Sequence, residues 1–251
     1  MNIPKGRGLY NVYTMEVVMK KIGIIGAMAE EVSILKENMS EVSIRNIAGM
    51  EFYEGSLDGK EVVVVMSGIG KVNAAICTQV LVDIFSVDAI INTGIAGSLN
   101  AEINICDIVL SSDAIQHDMD VTNWDYKHGQ IPRMETSTFV ADPVLIEKAK
   151  EVCKDVNPDI RTFVGRVVSG DQFICSKEKK QWLAEYFKAD CTEMEGASIA
   201  HAAYLNKVPF LIIRAISDKA DDSADMAYEE FEGKAIKYCV NLVRGLLQNI
   251  A

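Results

Sequence analysis

Residues Cys191 to Ala200 read CTEMEGASIA, which sets Glu193 and Glu195 two positions apart around Met194. Small and apolar residues follow at once (Gly196, Ala197, Ile199 and Ala200), so the segment suits burial better than a solvated acidic face. Carboxylates held in such a place are candidates for general acid–base work. Glu30 and Glu31, in AMAEE, open an expected helix, where the macrodipole makes capping a fair alternative for both. Asp218 follows the apolar run FLIIRAIS and is read either as a reactive acid or as a cap or turn residue. Arg214 lies inside that run, and a buried guanidinium needs a carboxylate partner, which Glu193 or Glu195 could supply. Taken singly, each of these residues is better explained by structure than by catalysis. Their recurrence at the ends of several apolar runs points to a shared site.

Those runs must position them. IGIIG (Ile22 to Gly26), VVVVM (Val62 to Met66), AIINTG (Ala89 to Gly94), DIVLSSDA (Asp107 to Ala114), FVGRVVSG (Phe163 to Gly170) and FLIIRAIS (Phe210 to Ser217) read as strands buried on both faces. Helical periodicity lies between them, at 29–38, 72–85, 143–152, 177–187, 196–205 and 228–247. Asp58-Gly59 between FYEGSL and EVVVVM is a two-residue hairpin turn, so the sheet is expected to be mixed. The expected fold is α/β: one domain from 21 to 251, its mixed central sheet flanked by helices on both faces. Residues 1–20 form an extension outside it. They lack the apolar core and cleavage site of a signal peptide, and Met19 before Lys20-Lys21 reads as an alternative start. In such folds ligands bind beyond the carboxyl ends of strands. There the chain carries AMAEE, SGIGKVNAA, TGIAGS, SGDQF, EMEGAS and SDKADD.

Composition narrows the partners. Twenty-five Lys+Arg against 36 Asp+Glu give a net charge of −11, which repels nucleic acid and anionic membrane over most of the surface. The expected partner is a small molecule or another protein. Six scattered cysteines without CxxC spacing read as packing residues in a reducing cytoplasm. The three histidines show no HxxxH or HxH spacing, so no metal and no cofactor are expected. SGIGK (Ser67 to Lys71) fits neither GxGxxG nor the Walker pattern, and taken alone it is a tight strand–helix turn. No GxSxG elbow occurs.

KIGIIGAMAEEV, SGIGKVNAA, INTGIAGSL, HDMDVTNWDYKHGQIP, VSGDQFI, EMEGASIAH and RAISDKAD occur in this order from Lys21 to about Leu247. Together they resemble the 5′-methylthioadenosine/S-adenosylhomocysteine nucleosidases of the nucleoside phosphorylase group. The resemblance implies hydrolysis of the N-glycosidic bond of an adenine thionucleoside, releasing adenine and a 5-thioribose. It implies Glu31 as general base, Asp218 as the acid protonating adenine N7, and Glu195 as the carboxylate holding the ribose hydroxyls, with Met194 against the sugar. Glu193 then supports the site or pairs with Arg214. Phe173 and Ile174 match the positions that stack on adenine and read its edge. Ala96, Gly97 and Ser217 are further implied contacts. Met28, Ile69, Val121, Trp124, Tyr126, Pro132 and Tyr228 match positions that enclose the ribose and alkylthio group. In the family the 124–132 segment reaches into a neighbouring subunit's site, so a homodimer is implied.

Two departures stand out. Trp124 replaces an expected phenylalanine, and Ile95 an expected serine, which removes a hydroxyl near the ribose and water. The acidic loop at Glu30-Glu31 independently favours water over phosphate as nucleophile, because carboxylates repel a phosphate. Two alternatives remain. One is a nucleosidase for another adenine nucleoside, such as aminodeoxyfutalosine or 5′-deoxyadenosine. The other is a silent nucleoside-binding protein, which would be expected to lack Glu31 or Asp218.

Overall fold

The computed structural model describes residues 19–220 and 224–250, apart from the side chains of 224–229. The strands are β1 (Lys21–Gly26), β2 (Ser40–Ile47), β3 (Met50–Leu57), β4 (Lys60–Met66), β5 (Ala89–Ser98), β6 (Ile108–Gln116), β7 (Phe139–Val140), β8 (Thr162–Ser169), β9 (Cys191–Glu193) and β10 (Phe210–Asp218). The helices are α1 (Ala29–Glu37), α2 (Lys71–Phe85), α3 (Pro143–Val156), α4 (Lys177–Phe187), α5 (Gly196–Asn206) and α6 (Ala224–Asn249). Local chemistry accounts for several of these boundaries. Asp142 caps α3 through the amides of Val144 and Leu145, ahead of Pro143 at the first helical position. Ser176 caps α4 through Lys179. Asp58 and Gly59, both at positive φ, close the β3–β4 hairpin with Leu57 opposite Lys60.

All ten strands join one mixed sheet. β1 pairs in parallel with β4 and β5, while β3 and β2 continue outwards as an antiparallel meander. On the other side β5 pairs with β9 and also with β10. Because β10 also pairs with β6, β6 with β8, and β8 with β9, these five strands close into a ring. α1, α3 and α6 pack together on one face, and α2 and α5 on the other. The α/β architecture implied by the sequence is the one observed.

Several features differ from the sequence-based expectation, among them the short strands β7 and β9. β2 was not expected, since its alternation is limited to Val42 and Ile44, and even these lie exposed at the sheet edge. β5 runs on past Gly94 to Ser98, so Ile95, Ala96 and Gly97 are strand residues. Met19 is buried in the main core, and the amides of Lys20 and Lys21 both bond Asp88. The folded unit therefore includes two residues assigned to the extension; 1–18 lie outside the described residues. All six cysteines are unpaired, and Cys175 alone is exposed. No helix among the described residues is long and apolar enough to cross a membrane.

Candidate active site

The turns after β1, β4, β8 and β9 and the ends of β5 and β10 converge on a cavity of about 500 Å³, a size suited to a nucleoside. Glu31, Glu195 and Asp218 all line it, and each is at least 95% buried. Met28, Ile69, Phe173 and Met194 supply apolar wall. Ala96, Gly97, Glu193 and Ser217 line it too, and Ile174 sits in an adjoining recess. Phe173 and Ile69 flank the mouth and are about half exposed.

Glu31 occupies the third position of α1, and its Oε2 accepts from the amides of Ala27 (2.6 Å) and Met28 (3.1 Å). Its Oε1 takes the amide of Ile95 at 3.2 Å. The capping interpretation is thus correct as far as it goes, while the carboxylate still faces the cavity. Glu30 points to solvent. Burial pushes the Glu31 carboxyl above its ordinary range, and the Arg214 cation and the three amides oppose that shift.

Glu195 precedes α5 and accepts the amide of Gly70 at 2.7 Å, which ties the SGIGK turn to the site. Burial, joined by the adjacent Glu193 charge, raises its carboxyl to about 7. Glu193, in contrast, bonds Ser169, Arg214 and the amides of Glu195 and Gly196. Burial alone would raise it, but Arg214 and these donors hold it below the usual carboxylate range. Glu193 is therefore the buried partner of Arg214. Two carboxylates two residues apart thus have opposite proton affinities, set by which of them meets the arginine.

Asp218 ends β10 just past a register irregularity between Ile216 and Asp218, a bulge that re-aims the strand end towards the cavity. Its Oδ1 accepts the amide of Ala220 at 2.6 Å and its Oδ2 the hydroxyl of Ser217 at 2.8 Å. The turn role is real here as well. Val121, Trp124, Tyr126 and Pro132 lie on the long loop between β6 and β7 and do not line the cavity within this chain, and Trp124 is 72% exposed. The side chain of Tyr228 lies outside the described residues. Ala27 and Thr192 line the cavity without having been singled out, since a lone Ala or Thr carries no sequence signal. Ile95 lines it with a hydrocarbon side chain, while its amide still serves Glu31. Among the described residues no group of three or more His, Cys, Asp or Glu is placed to hold a metal ion.

The comparisons with known proteins follow the same geometry. The Phosphorylase superfamily model matches residues 21–248, which places the chain in that class. A 5′-methylthioadenosine/S-adenosylhomocysteine nucleosidase of Staphylococcus epidermidis is 45% identical over 215 residues, spanning 85% of this chain and 93% of its own. The crystal structure of the corresponding Neisseria meningitidis nucleosidase, in complex with methylthio-immucillin-A, superposes with a TM-score of 0.89 at 36% identity, covering 92% of this chain and all of the other. A futalosine hydrolase of Helicobacter pylori follows with a TM-score of 0.87 at 34% identity, covering 92% and 99%. The chain belongs to the 5′-methylthioadenosine/S-adenosylhomocysteine nucleosidase family of the phosphorylase superfamily.

The raised Glu195 carboxyl has a stability consequence. Above about pH 7 the fold must hold this group ionised against burial and against Glu193, whereas near pH 4.5 and below it is neutral in folded and unfolded states alike. Glu195→Gln should therefore melt higher than the native chain at pH 8, by on the order of 1–3 kcal/mol of stability. The advantage should shrink as pH falls from 7 towards 4.5. Melting curves across that range check it; equal melting temperatures at pH 8 would contradict it.

Proposed function

We propose that the chain hydrolyses the N-glycosidic bond of 5′-methylthioadenosine and S-adenosylhomocysteine, giving adenine and 5-methylthioribose or S-ribosylhomocysteine. The observation that carries the reading is one cavity shared by three carboxylates in unlike environments, in a chain of this family. Glu31 is the base. It accepts a proton from a water molecule whose oxygen attacks C1′ of the ribose as the bond to N9 breaks. The electron pair of that bond goes to the purine, and Asp218 delivers a proton to N7, so adenine leaves neutral. Positive charge that builds on the ribose ring is met by the carboxylate of Glu195, which also takes the ribose hydroxyls. Phe173 stacks on the base, Ile174 lies at its edge, and Met194 lies against the sugar. Met28 and Ile69 enclose the alkylthio end. Ala96, Gly97 and Ser217 add backbone and hydroxyl contacts around the nucleoside.

The higher identity to methylthioadenosine/S-adenosylhomocysteine nucleosidases than to the futalosine hydrolase favours the thionucleosides as substrates. The silent-binder alternative is disfavoured because Glu31, Glu195 and Asp218 are all present and face one cavity. Adenine release from S-adenosylhomocysteine should proceed fully in phosphate-free, metal-free buffer. A rate that climbed from near zero on adding phosphate would reverse the assignment of water as nucleophile.

The working form is a homodimer. Trp124, exposed on its loop, and Ile69 and Val72, exposed at the cavity rim and on α2, form apolar surface that calls for cover. In the dimer, Val121, Trp124, Tyr126 and Pro132 of one protomer close the alkylthio end of its partner's cavity, with Tyr228 on the same side. Sedimentation should give a dimer at assay concentrations, and Trp124→Ala should raise KM for methylthioadenosine more than it lowers kcat. A fully active monomer would refute this arrangement.

Asp218→Asn isolates the acid. Unprotonated adenine is a poor leaving group, so the variant should lose on the order of 10² to 10⁴ in rate on methylthioadenosine. A ribosyl substrate whose leaving group departs without protonation should be slowed far less. Equal slowing of both substrates, with a lowered melting point, would reduce Asp218 to its turn role.

A further inference from the structure

Arg214 is among the largest fully buried side chains, and it stands between two carboxylates. On one side its Nη2 donates to Glu193 and, at 2.6 Å, to Oδ1 of Asn92. On the other side is Glu31. An added Cβ on Gly94 would lie 2.4 Å from Oε1 of Glu31 and 2.7 Å from Nη1 of Arg214. The two charged groups thus face each other across a residue that has no side chain, yet no ion pair joins them among the described residues. What holds the guanidinium back is anchored in turn. Asn92 is fixed by its Nδ2 on the carbonyl of Ile25 at 3.0 Å. Ser169 donates its hydroxyl to Oε1 of Glu193 and accepts the amide of Ala197 at 2.7 Å. Gly196 lets Glu193 lie against the start of α5, since a Cβ there would sit 3.1 Å from its carboxylate.

We propose that Asn92, Ser169 and Glu193 are positioning residues that hold the guanidinium of Arg214 one glycine's width from Glu31, so that Glu31 keeps the proton affinity of a base. The inference rests on the reading of Glu31 as base. A full ion pair with Arg214 would stabilise the Glu31 anion and weaken it as a proton acceptor, just as an arginine commonly lowers a neighbouring carboxyl. Without any cation nearby, burial would be opposed only by the three amides and the carboxyl would hold its proton to higher pH. Glu193 and Asn92 set the intermediate case by drawing Nη2 away. The other groups facing Glu31 are Asp218 from β10, Glu195 from the turn after β9, and the neutral thiol of Cys239 on α6, which donates to the carbonyl of Gly94.

The test is the titration of the Glu31 carboxyl itself, followed by NMR on protein carrying ¹³C-labelled glutamate. Its resonance is the one missing from Glu31→Gln. Glu193→Gln should lower the Glu31 pKa by about one unit, because the guanidinium loses its counter-charge and is free to turn. Asn92→Ala removes an acceptor but no charge; it should lower the pKa by less and covers the case in which Glu193→Gln does not fold. Arg214→Met should raise it, and the double variant Glu193→Gln/Arg214→Met should return it near the native value with a melting point above either single variant. The acid limb of kcat/KM should move in parallel for every variant that retains activity. Lowered melting points with an unmoved Glu31 titration in Glu193→Gln and Asn92→Ala would overturn the positioning role and leave these residues as scaffold. Near-native turnover by Glu31→Gln would instead remove the base on which the inference stands.

Discussion

The pairing of β10 with β5 is the constraint on which the site depends. In parallel register it sets Arg214 opposite Gly94 and Asp218 opposite Gly97. β10 also pairs with β6, so the same contact closes five strands into a ring and brings the end of β9 against the end of β5. Side chains that are far apart in sequence (Glu31, Glu195 and Asp218) then share one cavity. A sheet left open between β5 and β10 would leave Arg214 without the neighbours that pair it. Both strands are buried along their whole length, so the ladder excludes water and the register cannot slip without exposing apolar residues.

Inside the ring, burial raises the proton affinity of three acids and a single cation, Arg214, opposes it in each. Arg214 is paired most closely with Glu193, which stays ionised. Glu195, next in line and set against that negative charge, holds its proton up to about pH 7. Glu31 is also raised by burial, with the field of Arg214 and the amides of Met28, Ala27 and Ile95 opposing the shift. The chain thus obtains different proton affinities from similar carboxyl side chains by balancing burial against the Arg214 charge, the neighbouring carboxylate and the hydrogen bonds each one accepts. Removal of one partner of such a buried pair generally costs more than replacing both.

The legible part of the sequence was whatever repeats or whatever is chemically rare. Unbroken apolar runs gave β1, β4 and β10 within a residue or two, and α4 was placed at Lys177–Phe187 as observed. Buried acids after those runs marked the site. β2 was illegible because an exposed edge strand needs no apolar face, and β9 because three residues carry no periodicity. The extension of β5 through Ile95, Ala96 and Gly97 was hidden because TGIAGS has the small-residue composition of a turn. Asn92 and Ser169 could not be picked out either. A lone amide or hydroxyl becomes informative only once the fold sets it against Glu193 and Arg214.

The turn after β1 also explains why water fits the nucleophile position better than phosphate. A helix N-terminus following a strand is a ready anion site, because its first amides lack intrahelical partners. At α1 the carboxylate of Glu31 already occupies the approach, held by amides that flank the helix start rather than by the helix's own. Oε2 of Glu31 takes the amides of Ala27 and Met28, and its Oε1 takes that of Ile95. A phosphate arriving here would find those donors engaged and a carboxylate in its way, so both hydrogen bonding and charge oppose it. Water meets no such opposition, and it can give its proton to the group that excludes phosphate. On the proposed reading of Glu31 as base, the residue that closes the anion site also activates the alternative nucleophile, and a single Glu at the third position of α1 serves both ends.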